Sequence, residues 1–186
     1  MHKYSTDDLV WDQNVIRLVS LLLVITMFPV SADESPPPCS APEHRQFDFW
    51  LGHWTSYTED GKKQGSNRIE KMMGQCMIQE HWISAKGRYR GSSFNFYDPA
   101  NKQWHQTWVD NNGRSLRRDG GLVGGSMQLA GKPMSAKGEN VIDRITWTPM
   151  QDGRVRQHWQ ASSDDGETWA DVFDGYTQRD EHPSEP

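Results

Sequence analysis

Beyond about residue 52, apolar side chains fall at every second position, in short segments separated by turn residues. In 102–109, Trp104, Gln106 and Trp108 share one face and His105, Thr107 and Val109 the other. Phe94 likewise goes with Phe96, Ile145 with Trp147, Val155 with Trp159, and Trp169 with Phe173. A period of two belongs to a strand with one buried face. Between these segments stand Asp98-Pro99-Ala100-Asn101, Asp110-Asn111-Asn112-Gly113, Gln151-Asp152-Gly153 and Asp164-Asp165-Gly166. Their Gly, Asn and Asp residues supply the positive φ or the side-chain bond that a hairpin turn requires. Ten strands are predicted, starting near His53, Gly65, Cys76, Gly91, Lys102, Arg114, Gly125, Val141, Arg154 and Thr168. Consecutive hairpins without long apolar runs predict an all-β fold, a single antiparallel up-and-down β-barrel. A sandwich is the structural rival, because periodicity does not reveal whether the sheet closes. One segment has helical spacing: over 43–51, Phe47, Trp50 and Leu51 stand at i, i+3 and i+4 and are expected to plug one barrel end.

The N-terminal part follows a different pattern. From Leu18 to Val30 only Ser20 and Thr26 interrupt an apolar run, and Val30-Ser31-Ala32 follows the proline Pro29. That run is short of the ~20 residues of a membrane-spanning helix and reads as a secretory signal cleaved after Ala32, with an uncleaved anchor as the alternative. The expected layout is a signal peptide over 1–32, a Pro-rich stem over 33–42 with Pro36-Pro37-Pro38, the barrel over 43–180 and a tail over 181–186. A secreted or periplasmic protein follows, with no stable span in the mature chain. It is expected as a monomer or homodimer. Removing the leader leaves 154 residues with 18 basic and 22 acidic side chains, a balance that points to neither nucleic acid nor an anionic membrane surface. Cys39 and Cys76 both remain, and an even count in an oxidising compartment is most simply read as one disulfide.

Eight of the nine tryptophans lie in the mature chain. Trp82, Trp104, Trp108, Trp147 and Trp159 fall on predicted strands, with Gln106 and Gln157 on shared faces. Together with Phe94 and Phe96 they are the candidate lining of a pocket for a small lipophilic or aromatic ligand. The alternatives are a solid core whose indole N–H groups are satisfied, or indoles stacking on sugar rings. An enzyme of the same build would use Glu80 or His81 with Asn95 or Asp110 in acid–base chemistry. The plainer expectation for Glu70 and Glu80 is an ion pair with Arg68, Arg88 or Arg144. An envelope protein-interaction module is a third possibility, marked by an exposed aromatic patch. The histidines show no metal-ligand spacing, and no metal or cofactor is expected. An inward His81 or His158 would be needed for a haem ligand, and alternation sets His158 opposite Val155 and Trp159. The pairs Gly120-Gly121 and Gly124-Gly125 lack the strand-to-helix setting of a phosphate loop and read as hairpin punctuation.

The strings Pro42-Glu43-His44-Arg45-Gln46-Phe47-Asp48-Phe49-Trp50-Leu51-Gly52-His53-Trp54, Asn67-Arg68-Ile69-Glu70, Gly74-Gln75-Cys76, Gln79-Glu80-His81-Trp82, Ser93-Phe94-Asn95-Phe96-Tyr97-Asp98 and Trp104-His105-Gln106-Thr107-Trp108-Val109-Asp110-Asn111 resemble an uncharacterised bacterial family. That family has an FDFWLGxW signature and no assigned function. The resemblance spans nearly all the mature chain and implies an exported, lipocalin-like barrel. In the wider lipocalin likeness, Gly52 and Trp54 are structural. The glycine allows close backbone approach, and the indole is covered by a late arginine, for which Arg144, Arg154 and Arg156 are candidates.

Overall fold

The computed structural model describes residues 35–131 and 141–181. The expected signal peptide and the last five residues of the expected tail lie outside them. Ten antiparallel strands form a closed barrel: β1 (Gly52–Thr58), β2 (Lys63–Met72), β3 (Met77–Ser84), β4 (Arg90–Asp98), β5 (Gln103–Asp110), β6 (Ser115–Val123), β7 (Ser126–Gly131), β8 (Ile142–Pro149), β9 (Val155–Ser162) and β10 (Ala170–Arg179). Each strand pairs with its sequence neighbours, and β1 pairs with β10. Every strand begins within two residues of its predicted start. Closure leaves no sheet edge exposed and rules out the sandwich.

The N-terminal helical segment is present as two 3₁₀ turns, Pro42–Arg45 and Asp48–Trp50, rather than one continuous helix. Phe47 joins them at φ −106° and ψ 9°, outside helical geometry. The break lets Phe47 and Trp50 both turn inward, and each is fully buried. Phe47 stacks on Trp50 at 4.8 Å and meets Trp104 and Trp147 edge-on at 5.7 and 5.1 Å. With Trp54, Ile69, Ile78, Met127, Leu129, Ile145 and Val155 they form the apolar core, so the plug fills one end of the barrel. Burying aromatic rings of this size stabilises the closed end by roughly 2 to 3 kcal/mol each. Cys39 and Cys76 form a disulfide that ties the plug to the β2–β3 connection. Arg45 reinforces the join by donating to the carbonyls of Cys39 and Gln75, both at 2.9 Å.

The arginine on the Gly-x-Trp motif is Arg179, from the last strand. Its guanidinium lies 4.3 Å over the Trp54 ring, and Nη1 donates to the Leu51 carbonyl at 2.8 Å. Gly52 adopts φ +128°, a conformation that favours glycine, and the space a Cβ would take is filled by Arg179 Nη1, 2.1 Å away. The three arginines expected in this role stand elsewhere. Arg144 covers Trp169 at 3.8 Å, Arg154 covers Tyr176 at 4.3 Å, and Arg156 pairs with Asp174. Arg144 on β8, Arg154 in the β8–β9 turn and Arg156 on β9 all stand off the closing seam, where β10 pairs with β1.

Candidate functional site

Alternation along the strands decides what faces the lumen. The buried polar residues Asn67, Glu80, Ser93, Asn95, Gln106, Arg118 and Asp143 all occupy inward positions and are joined in one chain. Arg118 Nη1 donates to Gln106 Oε1 at 2.7 Å; Gln106 Nε2 donates to Asn95 Oδ1 at 2.9 Å; Asn95 Nδ2 donates to Ser93 Oγ at 2.9 Å. Ser93 in turn donates to Glu80 Oε2 at 2.6 Å, and Asn67 Nδ2 to Glu80 Oε1 at 2.7 Å. At the other end Arg118 makes a buried ion pair with Asp143, Nε donating at 2.8 Å, and the Trp159 indole N–H reaches the same Oδ2 at 3.1 Å. The donors point one way, from a cation to a carboxylate, so their dipoles reinforce one another. Burial pushes the Glu80 pKa above its ordinary value, against the opposing effects of Ser93, Asn67 and the Arg118 charge.

Beyond this band, toward the end away from the plug, the inward positions are aromatic. Trp82 and Trp108 each lie against a glycine of the next strand: a Cβ at Gly65 would meet Trp82 Cη2 at 2.7 Å, and one at Gly91 would meet Trp108 Cζ2 at 2.0 Å. Phe173 lies over Gly175 of its own strand, where a Cβ would meet the Tyr57 carbonyl at 2.2 Å and Phe173 Cζ at 2.6 Å. These rings and Trp159 are half-buried. A missing side chain on the neighbouring strand lets an indole lie flat on the wall instead of projecting across the lumen, as in the aromatic covering of strand glycines.

The candidate lining therefore divides into three groups. Trp82, Trp108 and Trp159 stand on the aromatic level, with Gln106 buried beneath them and Gln157 on the same inward face of β9. Trp104 and Trp147 belong to the plug-side core, only 2% and 1% exposed. Phe94 and Phe96 are on the outer wall, contrary to expectation. The alternation of β4 is as expected, with its two faces exchanged: Ser93 and Asn95 point in because the band satisfies them, leaving Phe96 to lie against His105 at 5.2 Å. Trp169 and Phe173 also part company, because a bulge between Asp171 and Phe173 shifts the register of β10. Phe173 then faces inward, while Trp169 lies under Arg144.

The four alternative catalytic residues do not converge. Glu80 and Asn95 meet through Ser93 in the lumen. His81 lies outside, its Nε2 3.3 Å from Glu70, which also pairs with Arg68. The expected ion pair thus exists for Glu70, whereas Glu80 is held by neutral groups. Asp110 closes the β5–β6 turn, accepting from the backbone N–H groups of Asn112 and Arg114 and from the Arg114 and Tyr89 side chains. Burial raises its pKa, but these bonds outweigh that effect and hold the group below the ordinary range. Tyr89 is pushed up by burial and by Asp110 itself.

Among the described residues the strand histidines His53, His81, His105 and His158 all face outward, so none of these four presents an imidazole to the lumen. The β10 bulge gathers His158, Asp171 and Asp174, whose ligand atoms lie within 4.8 Å of one another, although no metal-ligand spacing was apparent in the sequence. Asp174 is already engaged by Arg156 there, at 2.8 and 2.5 Å. An open groove of about 570 Å³ is lined by the outward His53, Arg68, His81, Arg90 and Val109 together with Trp82, Gly91 and Asn67 of the polar band.

Asn67, Ser93, Arg118 and Asp143 were not singled out from the sequence. Their signal is present as polar residues in phase with buried neighbours: Asn67 with Ile69, and Asp143 with Ile145 and Trp147. Neither a scan against protein-family models nor a search of the curated proteins finds a match to this chain.

Proposed function

We propose that this barrel holds a small lipophilic or aromatic molecule in the half of its lumen away from the plug. The ligand lies between Trp82, Trp108, Trp159 and Phe173 and above the polar band. The observation carrying this reading is the seating of Trp108 on Gly91, where the indole alone fills the space of a Cβ; Trp82 lies on Gly65 as well, beside the Ile83 carbonyl. Core filling alone gains nothing from glycines that give up side-chain volume to seat indoles against the wall. A ligand that needs flat apolar walls does. The Cys39–Cys76 disulfide is consistent with work outside the cytoplasm, as the leader-like N-terminal segment suggests.

Native mass spectrometry on the chain purified from an oxidising compartment, without denaturation, tests the proposal. The expected result is a reproducible mass excess that disappears on denaturation. A bare chain mass under the same gentle conditions, with no small molecule from an aromatic library altering its melting, overturns it. The enzymatic alternative has one observation in its favour, the raised pKa of Glu80, which suits a buried acid. Both Glu80 oxygens are already occupied by Asn67 and Ser93, and His81 stands on the other side of the wall. These contacts favour a positioning role for the carboxyl within the band.

A further inference from the structure

Among the described residues, the fully buried polar atoms of the band that lack a partner are both acceptors. Asp143 Oδ1 and Asn67 Oδ1 are buried without a partner, on residues 3% and 4% exposed, and both atoms are acceptors. The Asn67 end rests on amide orientation, which Glu80 sets by accepting from Nδ2. The Asp143 end needs no such assignment, since an ionised carboxylate only accepts. An unmet buried acceptor of this kind is costly unless something donates to it.

The groups that would receive an acidic ligand are, by contrast, already used. Arg118 places Nε and Nη2 on Asp143 and Nη1 on Gln106, and its face lies 5.6 Å over the Trp159 ring. A carboxylate entering the lumen would have to break that pair while approaching Asp143 itself. The two fully buried unpartnered indole N–H groups among the described residues, those of Trp50 and Trp147, sit in the plug-side core around Phe47.

We infer that the molecule held in the lumen carries a hydrogen-bond donor, a hydroxyl or amine on a flat apolar body, which reaches Asp143 Oδ1 below Trp159, and that anionic lipids and aromatic acids are excluded. This rests on the reading of the lumen as a ligand site. It goes beyond that reading by assigning polarity: Asp143 selects the ligand while Arg118 orients Asp143.

The test is isothermal titration calorimetry of the purified protein, freed of any co-purifying molecule, with 2-naphthol, 2-methoxynaphthalene and 2-naphthoate. These probes share one ring system. They differ in offering a donor, an acceptor without a donor, and an anion. The naphthol is expected to bind at least tenfold tighter than the methyl ether, with the naphthoate weakest. Equal affinities for naphthol and ether overturn the donor assignment, as water would then be satisfying Asp143. Naphthoate binding tightest overturns it too, by showing that Arg118 is released to anions. If none of the three binds, the ligand site itself fails and the inference falls with it. In Asp143→Asn, with its fold checked by circular dichroism, the naphthol preference should shrink to about threefold or less; a folded variant that keeps the full preference places the selecting group elsewhere. The wild-type series decides the donor question whether or not this variant folds.

Discussion

The seating of Trp108 on Gly91 can be tested by a substitution whose effect should change sign with its background. In Gly91→Ala the new methyl would stand 2.0 Å from Trp108 Cζ2, 2.5 Å from Cη2 and 2.7 Å from Cε2. Carbon atoms rest about 3.5 Å apart, so the ring must retreat by roughly 1.5 Å into the lumen. Overpacking of this kind costs about 1 to 3 kcal/mol. Replacing glycine in an extended strand also removes freedom from the unfolded chain, which offsets about 0.4 to 1 kcal/mol. The net expectation is a loss of roughly 0 to 2.6 kcal/mol. In a Trp108→Ala background nothing opposes the methyl, since all three of its nearest atoms belong to the Trp108 indole. Gly91→Ala should then stabilise by about 0.4 to 1 kcal/mol. Chemical denaturation followed by far-ultraviolet circular dichroism, on the four proteins of the cycle, measures both numbers without relying on the altered tryptophan. Costs that agree in the two backgrounds to within about 0.5 kcal/mol would refute the contact and the lumen geometry built on it.

Glu80→Gln should flatten the pH dependence of stability. Burial raises the folded-state pKa of Glu80, so this group's contribution declines as pH climbs from its unfolded value near 4.3 through the folded one, by about 1.4 kcal/mol for each unit of the rise. Denaturation midpoints at pH 5 and 8 should differ by less in the variant, and an unchanged difference would count against a buried, strained carboxylate. Removing the disulfide with Cys39→Ser and Cys76→Ser opens a loop with a sequence separation of 37. A loss of about 4 kcal/mol is expected on the chain-entropy account, and a loss below about 1 kcal/mol would show that the plug is held by packing alone. Arg179→Ala should cost about 1 to 2 kcal/mol by removing a cation–π contact and a hydrogen bond, with Arg179→Lys intermediate; a neutral alanine variant in a thermal melt would remove Arg179 from the closing motif.

Strand number and boundaries were legible because period-two alternation and turn residues are local signals that every hairpin repeats. The identity of the inner face was less so. In β4, either Ser93 and Asn95 or Phe94 and Phe96 had to go outside, and hydrophobicity alone selects the phenylalanines for the interior. The opposite outcome depends on Glu80 and Gln106 from flanking strands, which turn two polar residues into satisfied ones. The bulge in β10 was invisible for a related reason: an extra residue leaves no mark on composition, and it moved Trp169 away from Phe173. The arginine over Trp54 required knowing which strands meet at the seam, a property of closure and not of any segment. The disulfide, in contrast, needed only an even cysteine count and the expectation of an oxidising compartment.

The β1–β10 seam also sets a condition on how the molecule comes into being. Arg179 reaches the Leu51 carbonyl across 128 positions of sequence. Until that residue is available, β1 is an unpaired edge and the Trp54 indole lacks its cover. Contacts this distant in sequence form late and slowly, since the chain loses the entropy of a long loop before gaining anything from them. A nascent chain halted before β10 therefore has nine hairpin-linked strands and two open edges, an invitation to pair with its neighbours. Quality control of this protein is consequently a question of its final ten strand residues: loss of β10 should convert a self-contained barrel into an aggregating sheet, however well the other nine strands are made.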